Sequence, residues 1–155
     1  MIESAKGTIK DIVAFRLKPG MDVLEGITEV CKQHGIKNGI IMSALGSWRQ
    51  AAFYNPVTTQ SGKPGYGEPI ILRGNGFLEL VSLSGMICHD DEGNILPHIH
   101  LTISDERGNA YGGHLIKGCE VLLTTDVVIV ILDGIVMGRR FDEEAGVHLF
   151  APRSI

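Results

Sequence analysis

The segment HIHLTISDERGNAYGGHL, residues 98–115, predicts a β-hairpin and carries three of the chain's six histidines. Runs rich in β-branched and aromatic residues flank DERGN (105–109), which is short, polar and glycine-containing, as hairpin loops usually are. If DERGN forms a five-residue loop, Ser104 lies directly opposite Ala110. This pairing determines which residues of the two strands face one another.

The three histidines of this hairpin are predicted to lie on one face. His98 and His100 are two residues apart on one strand, so their side chains leave the same face about 6.6 Å apart, at ~3.3 Å per residue. Counting outward from the loop places His100 directly opposite His114. Only a shift by an odd number of residues would turn His114 to the other face.

Imidazoles grouped in this way indicate a site for a first-row metal ion. Zinc binds histidine nitrogens at about 2.0–2.1 Å, so His98, His100 and His114 are the predicted ligands of zinc or another divalent metal. Gly112 and Gly113 agree with this, because glycine within a strand usually marks the close approach of another group, here a fourth ligand of the metal. The alternative is that all three are ordinary strand histidines, partly exposed or hydrogen-bonded.

A metal with three protein ligands raises the question of catalysis. Three nitrogens leave one tetrahedral position open, as in catalytic zinc sites, where the bound water is acidified to a pKa of about 7. Glu79 interrupts the apolar run FLELVSLSG (77–85) and is the candidate proton carrier. The alternative for Glu79 is a place on the solvated face of its strand. A zinc-dependent enzyme that acts on a small molecule is therefore one hypothesis.

The first part of the chain predicts a strand followed by a helix. TIKDIVAFRL (8–17) is typical of a strand. In the helix, Asp22 caps the first turn, Glu25 completes a capping box, and Gly35 ends the helix. One apolar stripe predicts that this helix packs against a sheet: Leu24, Ile27, Val30 and Cys31.

Strands dominate the sequence after this helix. NGIIMSALGSWRQAAFY (38–54) predicts two strands joined by a bend at 44–47, and 55–67 predicts a long loop. Five further strands are expected from the segments EPIILR, GFLELVSLSGMIC, HIHLTIS, AYGGHLI and EVLLTTDVVIVIL. Because short turns join them, we expect an α+β fold, with a mostly antiparallel sheet packed on one main helix in a single domain over residues 1–155.

The composition argues against nucleic acid and membrane as default partners. The net charge is -4, the sequence pI is about 5.8, and no cluster of four or more basic residues occurs. Lysine and arginine must neutralise phosphates for non-specific DNA binding, so this balance is unfavourable. Four arginines could still form a local patch, with Arg49 and Arg73 as the candidate contacts to DNA or another anion; the other two are Arg139 and Arg140. The longest apolar run, Val127–Leu132, is too short to span a bilayer.

Two features predict a cytoplasmic location. The N-terminal segment MIESAKGTIKDIV lacks the basic and apolar order of a signal peptide. Cys31, Cys88 and Cys119 are odd in number and have no CxxC spacing, which is typical of reduced, buried cysteines.

Several segments together are typical of one known family. They are FRLKPGMDV (15–23), SALGSWRQA (43–51), FLELVSLSG (77–85), PHIHLTISDERGNAYGGHLIKGC (97–119) and EVLLTTDVVIVI (120–131). Through them the chain resembles the PPC domain, the plants and prokaryotes conserved domain, of the stand-alone prokaryotic type, over nearly its whole length. The HxH pair followed by GGHL after a short hairpin is the most distinctive part.

The resemblance implies a twisted, mostly antiparallel sheet on a helix, a homotrimer, and a metal at His98, His100 and His114. It also implies a DNA-associated or regulatory role, because plant members join the domain to an AT-hook and prokaryotic members are commonly named as candidate DNA-binding proteins. The nearest approach to an AT-hook here, GRRFDEE (138–144), lacks the Arg-Gly-Arg-Pro centre. A third hypothesis is a structural assembly protein, in which the histidines or a metal only hold the trimer together.

Overall fold

The fold is built around two long strands, each of which pairs with several others. A computed structural model describes residues 2–155, so Met1, the first residue of the predicted domain, lies outside the described residues. These residues form one helix, α1 (Val23–Gln33), and ten strands. The strands are β1 (Thr8–Leu17), β2 (Gly39–Tyr54), β3 (Pro56–Thr58), β4 (Pro64–Tyr66), β5 (Ile70–His89), β6 (Ile95–Ser104), β7 (Ala110–Leu115), β8 (Glu120–Asp133), β9 (Ile135–Asp142) and β10 (Val147–Ser154).

Eight of the strands form one sheet in the order β1-β8-β2-β7-β6-β5-β9-β10. The neighbours are antiparallel, except that β5 and β9 pair in parallel. β2 also pairs with β5, which closes β2, β7, β6 and β5 into a ring. β3 and β4 form a separate two-stranded ribbon. A mostly antiparallel sheet with a single described helix is the predicted α+β single-domain fold.

The helix has the predicted start and end. Asp22 is the N-cap, and its carboxylate accepts a hydrogen bond from the backbone N–H of Glu25 at 3.0 Å. The helix ends before Gly35, whose φ of +64° is the left-handed conformation that favours glycine. The Glu25 carboxylate pairs with Lys117 instead of completing the predicted capping box.

One hydrophobic cluster joins the helix to the sheet. Its buried side chains come from α1 and from strands β1, β2, β5, β6, β7 and β8. Within the core, the buried hydroxyl of Thr125 accepts a hydrogen bond from Trp48 Nε1 at 2.8 Å, which joins β8 to β2. On β6 the core residues are Ile99, Leu101 and Ile103. Because side chains alternate along a strand, the even-numbered residues of β6 point away from the core.

The strand boundaries differ from the predictions in four places. The predicted bend at 44–47 lies inside β2, where register shifts take up the change of direction without ending the strand. Gly46 lies there because the backbone of Thr124 on β8 leaves no space for a side chain. The two strands expected before the hairpin are one strand, β5, and residues 55–67 contain the β3–β4 ribbon. The C-terminal pair β9–β10 was not predicted.

Among residues 2–155, no helix combines the length and the hydropathy that a membrane span requires.

Candidate metal centre

The β6–β7 hairpin has the predicted register. Ser104 pairs with Ala110, and His100 pairs with His114. The loop sequence fixes this register, because Asp105 Oδ1 accepts hydrogen bonds from the backbone N–H groups of Arg107 and Asn109, each at 2.9 Å. The backbone N–H of Asp105 also donates to the carbonyl of Asn109 at 3.0 Å. A five-residue loop closed in this way leaves the strands no freedom to slip.

The three histidines form one compact group on the face of β6 and β7 that points away from the core. The ring centroids of His98 and His100 are 5.2 Å apart, those of His98 and His114 are 5.1 Å apart, and those of His100 and His114 are 5.5 Å apart. One ring nitrogen from each residue lies within 4.8 Å of the other two. Small side-chain rotations would bring these nitrogens to the spacing of three ligands about 2.0–2.1 Å from one ion.

The surroundings keep two of these imidazoles neutral. His98 and His114 are half-buried, whereas His100 is exposed. Burial lowers the pKa of His98, and the charges of Arg139 and His100 lower it further. Burial, followed by the charges of His98, His100 and Arg139, lowers the pKa of His114 to about 4. Neutral imidazole is the form that binds a metal, so at neutral pH these rings need not lose a proton first.

The donor set fits a divalent ion. His114 Nδ1 is buried and has no hydrogen-bond partner among the described residues. Buried polar atoms nearly always have a partner, so an unpartnered ring nitrogen within a group of three histidines is explained by an ion that it would bind. Imidazole nitrogens suit zinc and other first-row metals, whereas magnesium and calcium prefer oxygen.

Two tyrosines that no sequence pattern marks lie beside the histidines. Tyr54 of β2 pairs with His114 across the sheet. The ring of Tyr66 on β4 lies 5.8 Å from that of His114 and 6.0 Å from that of Tyr54. A cavity of about 700 Å³ extends from Tyr66 between the β3–β4 ribbon and the β9–β10 hairpin. The folding of segment 55–67 into the β3–β4 ribbon brings Tyr66 to the site. No sequence motif around Tyr66 indicates this position.

The two strand glycines have a different role from the one expected. A Cβ at Gly112 would lie 2.6 Å from the carbonyl oxygen of Leu101, and one at Gly113 would lie 2.5 Å from the carbonyl oxygen of Tyr54. Neighbouring backbone therefore approaches these positions. The glycines make room for the close packing of β6 and β2 against β7 and do not make room for a fourth metal ligand.

The predicted proton carrier lies away from the histidines. Glu79 is exposed on β5 and pairs with Ser104 of β6, four residues from His100. Four strand residues span about 13 Å at ~3.3 Å each. The structure therefore does not bring the Glu79 carboxylate to the three histidines.

The four arginines of the suggested basic patch come from three strands, β2, β5 and β9, and several have partners. Arg49 Nε lies 3.6 Å from a carboxylate oxygen of Glu120, and Arg73 Nη1 donates to Gln50 Oε1 at 3.5 Å. Arg140 lies 3.8 Å from Asp91. Arg139 is the one whose charge acts on the histidines.

Comparison with known sequences identifies a family. Residues 4–133 match the Plants and Prokaryotes Conserved (PCC) domain, which is the PPC domain named above. The bifunctional protein GlmU of Synechococcus sp. (strain JA-2-3B'a(2-13)) is 33% identical over 123 residues, which are 79% of this chain and 17% of that protein. The chain thus spans 17% of the length of the curated relatives that it matches.

Solved structures with the same fold come from several prokaryotes. A metal-containing protein of Archaeoglobus fulgidus is 29% identical, with a TM-score of 0.82 over 96% of this chain and 99% of that chain. A PPC protein of Pyrococcus horikoshii is 26% identical, with a TM-score of 0.81 over 96% of each chain. A protein of Bacteroides thetaiotaomicron named as a candidate DNA-binding protein is 18% identical, with a TM-score of 0.77 over 96% of each chain, and this likeness shows the fold alone.

The low pKa of His114 predicts that the metal-free protein loses stability as the pH falls from 6.5 to about 4. In this window the unfolded chain binds a proton at residue 114 that the folded chain does not bind, so acid favours unfolding. Below about pH 4 both states are protonated there, and this residue causes no further loss. Urea unfolding at a series of pH values, with a chelator present, measures the effect.

In the same experiment, His114→Gln should lose less stability across this window than the parent. His34→Gln, at the exposed C-cap of α1, is the matched control and should follow the parent. Equal pH dependence of His114→Gln and the parent would contradict the assignment.

Proposed function

This chain belongs to the plants and prokaryotes conserved domain family. We propose that it is a metal-binding homotrimer that holds a divalent ion at His98, His100 and His114, with zinc as the first candidate. The observation that carries the proposal is that three ring nitrogens lie within 4.8 Å of one another. The unpartnered, buried Nδ1 of His114 supports it. The metal-containing relative from Archaeoglobus fulgidus, which has the same fold, agrees with this function.

Binding accounts for the site better than catalysis does. A zinc hydrolase needs a proton carrier beside the bound water. Glu79, the sequence candidate, is about 13 Å from His100 along the strands, at ~3.3 Å per residue. The alternative of a zinc-dependent enzyme acting on a small molecule would therefore need its proton carrier from the substrate or from another copy of the chain.

We expect protein stripped of metal to take up one zinc per chain. His100→Ala should weaken zinc binding by at least ~100-fold, because even the loss of an outer-shell partner costs about 10–100-fold. His100 is exposed, so its substitution leaves the core intact. Zinc titration with elemental analysis measures both quantities, and His34→Ala is the control. Uptake well below one zinc per chain, or parent-like binding by His100→Ala, would overturn the metal centre.

The homotrimer is supported by a group of large apolar side chains that are exposed on β1, β2 and β8. They are Ile9, Ile12, Met42, Leu45 and Leu123. Exposed apolar groups of this size commonly mark contacts between proteins. A second copy of the same chain would cover them.

Sedimentation equilibrium should give the mass of three 16.8 kDa chains, about 50 kDa. Leu45→Arg should lower this mass, because it places a charge among the exposed apolar residues, whereas Leu149→Arg on β10 should not. A single-chain mass for the parent would contradict the trimer. Dissociation on removal of metal alone would favour the structural assembly hypothesis, in which the metal holds the subunits together.

A DNA-associated, regulatory role is a second proposal. It rests on what membership of the family implies, and the Bacteroides relative, whose likeness shows the fold alone, carries a name of that kind. Such a role places the protein in the cytoplasm, and its three free, buried cysteines suit that reducing compartment. The net charge of -4 is unfavourable for binding to DNA, so any phosphate contacts would come from exposed arginines such as Arg49 and Arg73.

If DNA is bound, affinity measured by mobility shift should fall with salt, with a slope of about 0.9 per phosphate contact on logarithmic axes. The double variant Arg49→Gln and Arg73→Gln should lower this slope by about two. Arg16→Gln, an exposed arginine on β1, is the control. The absence of binding at low salt would dismiss the role.

A further inference from the structure

The face that carries the histidines also carries an arginine that the proposed function does not use. Gly138 of β9 pairs with His89 of β5, so the next residue, Arg139, points to the other face of β5. That is the face of Met86, which pairs directly with His98. The strand register therefore places the guanidinium on the same side of the sheet as the metal ligands.

Contacts hold Arg139 in place but leave part of its guanidinium unused. Its Nη2 donates to the carbonyl oxygen of His148 on β10 at 2.7 Å. Its Nε is buried and has no hydrogen-bond partner among the described residues. Asp90, Asp91 and Glu92 line the same cavity as Arg139, but within residues 2–155 no carboxylate lies at ion-pair distance from it, and Asp91 pairs with Arg140 and Arg153.

The charge balance of the loaded centre would be strongly positive. Three neutral imidazoles leave both charges of a divalent ion uncompensated, and the group of described residues that could hold the ion contains no carboxylate. Arg139 adds a further positive charge, which lowers the pKa of His98 and of His114. A guanidinium recognises carboxylate and phosphate oxygens through its planar set of N–H donors.

We propose that the centre takes an oxyanion, the carboxylate or phosphate group of a small molecule, held jointly by the ion and by Arg139. This inference rests on the proposed metal function and names the class of ligand for its open position. A cavity of about 700 Å³ that Tyr66 lines, beside His114, would receive the remainder of such a molecule; Lys63, Asp142 and Glu144 line it as well.

The test uses full-length protein loaded with cobalt, whose visible absorption changes when a ligand in its coordination shell changes. Inorganic phosphate and acetate are titrated separately, and the one that produces a saturable change identifies the class of oxyanion. Arg139→Gln should weaken its binding by about tenfold or more, the value of a charge-assisted hydrogen bond, while cobalt uptake stays at one per chain. Arg140→Gln, the exposed neighbour on the alternate face, should bind the anion like the parent.

Arg139→Lys separates the role of the guanidinium from a general loss of fold, because it keeps the charge but not the planar donors. Its affinity for the anion should fall between those of the parent and Arg139→Gln, with a parent-like unfolding temperature. Parent-like anion affinity in Arg139→Gln would overturn the inference. So would a cobalt-loaded parent whose spectrum responds to neither anion, and in that case the metal centre itself would stand. A parent that takes up no cobalt would overturn the metal centre and this inference together.

Discussion

The register of the β6–β7 hairpin is the constraint on which the rest of the site depends. Asp105 closes the loop, and the pairing of His100 with His114 follows from it. The same register buries Leu101 and Leu115, each worth about 1.5–3 kcal/mol when removed from water. A slip by one residue would expose these side chains and turn His114 inward. The free energy that stabilises the core therefore also holds the three histidines on one face.

The environment of the histidines favours a metal ion over protons. Partial burial disfavours a charged imidazole, and the nearby Arg139 has the same effect, so the pKa of His98 and of His114 is lowered. This arrangement leaves Nδ1 of His114 buried without a hydrogen-bond partner among the described residues. An ion would satisfy that nitrogen and would bring a positive charge that no carboxylate in the group balances. If the proposed metal and oxyanion both bind, cation binding and anion binding would be coupled at one site.

Binding of a metal ion and a small anion at the histidines would be a different function from the DNA-associated role suggested for the family. DNA affinity needs several cations aligned along one surface. Here Arg49 lies beside Glu120, and Arg140 and Arg153 lie beside Asp91, so their charges are partly offset where they stand. The histidine centre, by contrast, concentrates its donors within a few ångströms. The geometry of the chain is therefore more suited to a small ligand than to a polyanion.

The sequence by itself determined the hairpin, its loop, the start and end of the helix, and the shared face of His98, His100 and His114, because each depends on local turn chemistry or on the two-residue repeat of a strand. Long-range pairing decided the rest. It made one strand of Ile70–His89, and it set Gly112 and Gly113 against neighbouring backbone. It also brought Tyr66 beside His114 and placed Arg139 on the face of the histidines. These contacts join residues far apart in the chain, so no local pattern encodes them and only the closed sheet reveals them.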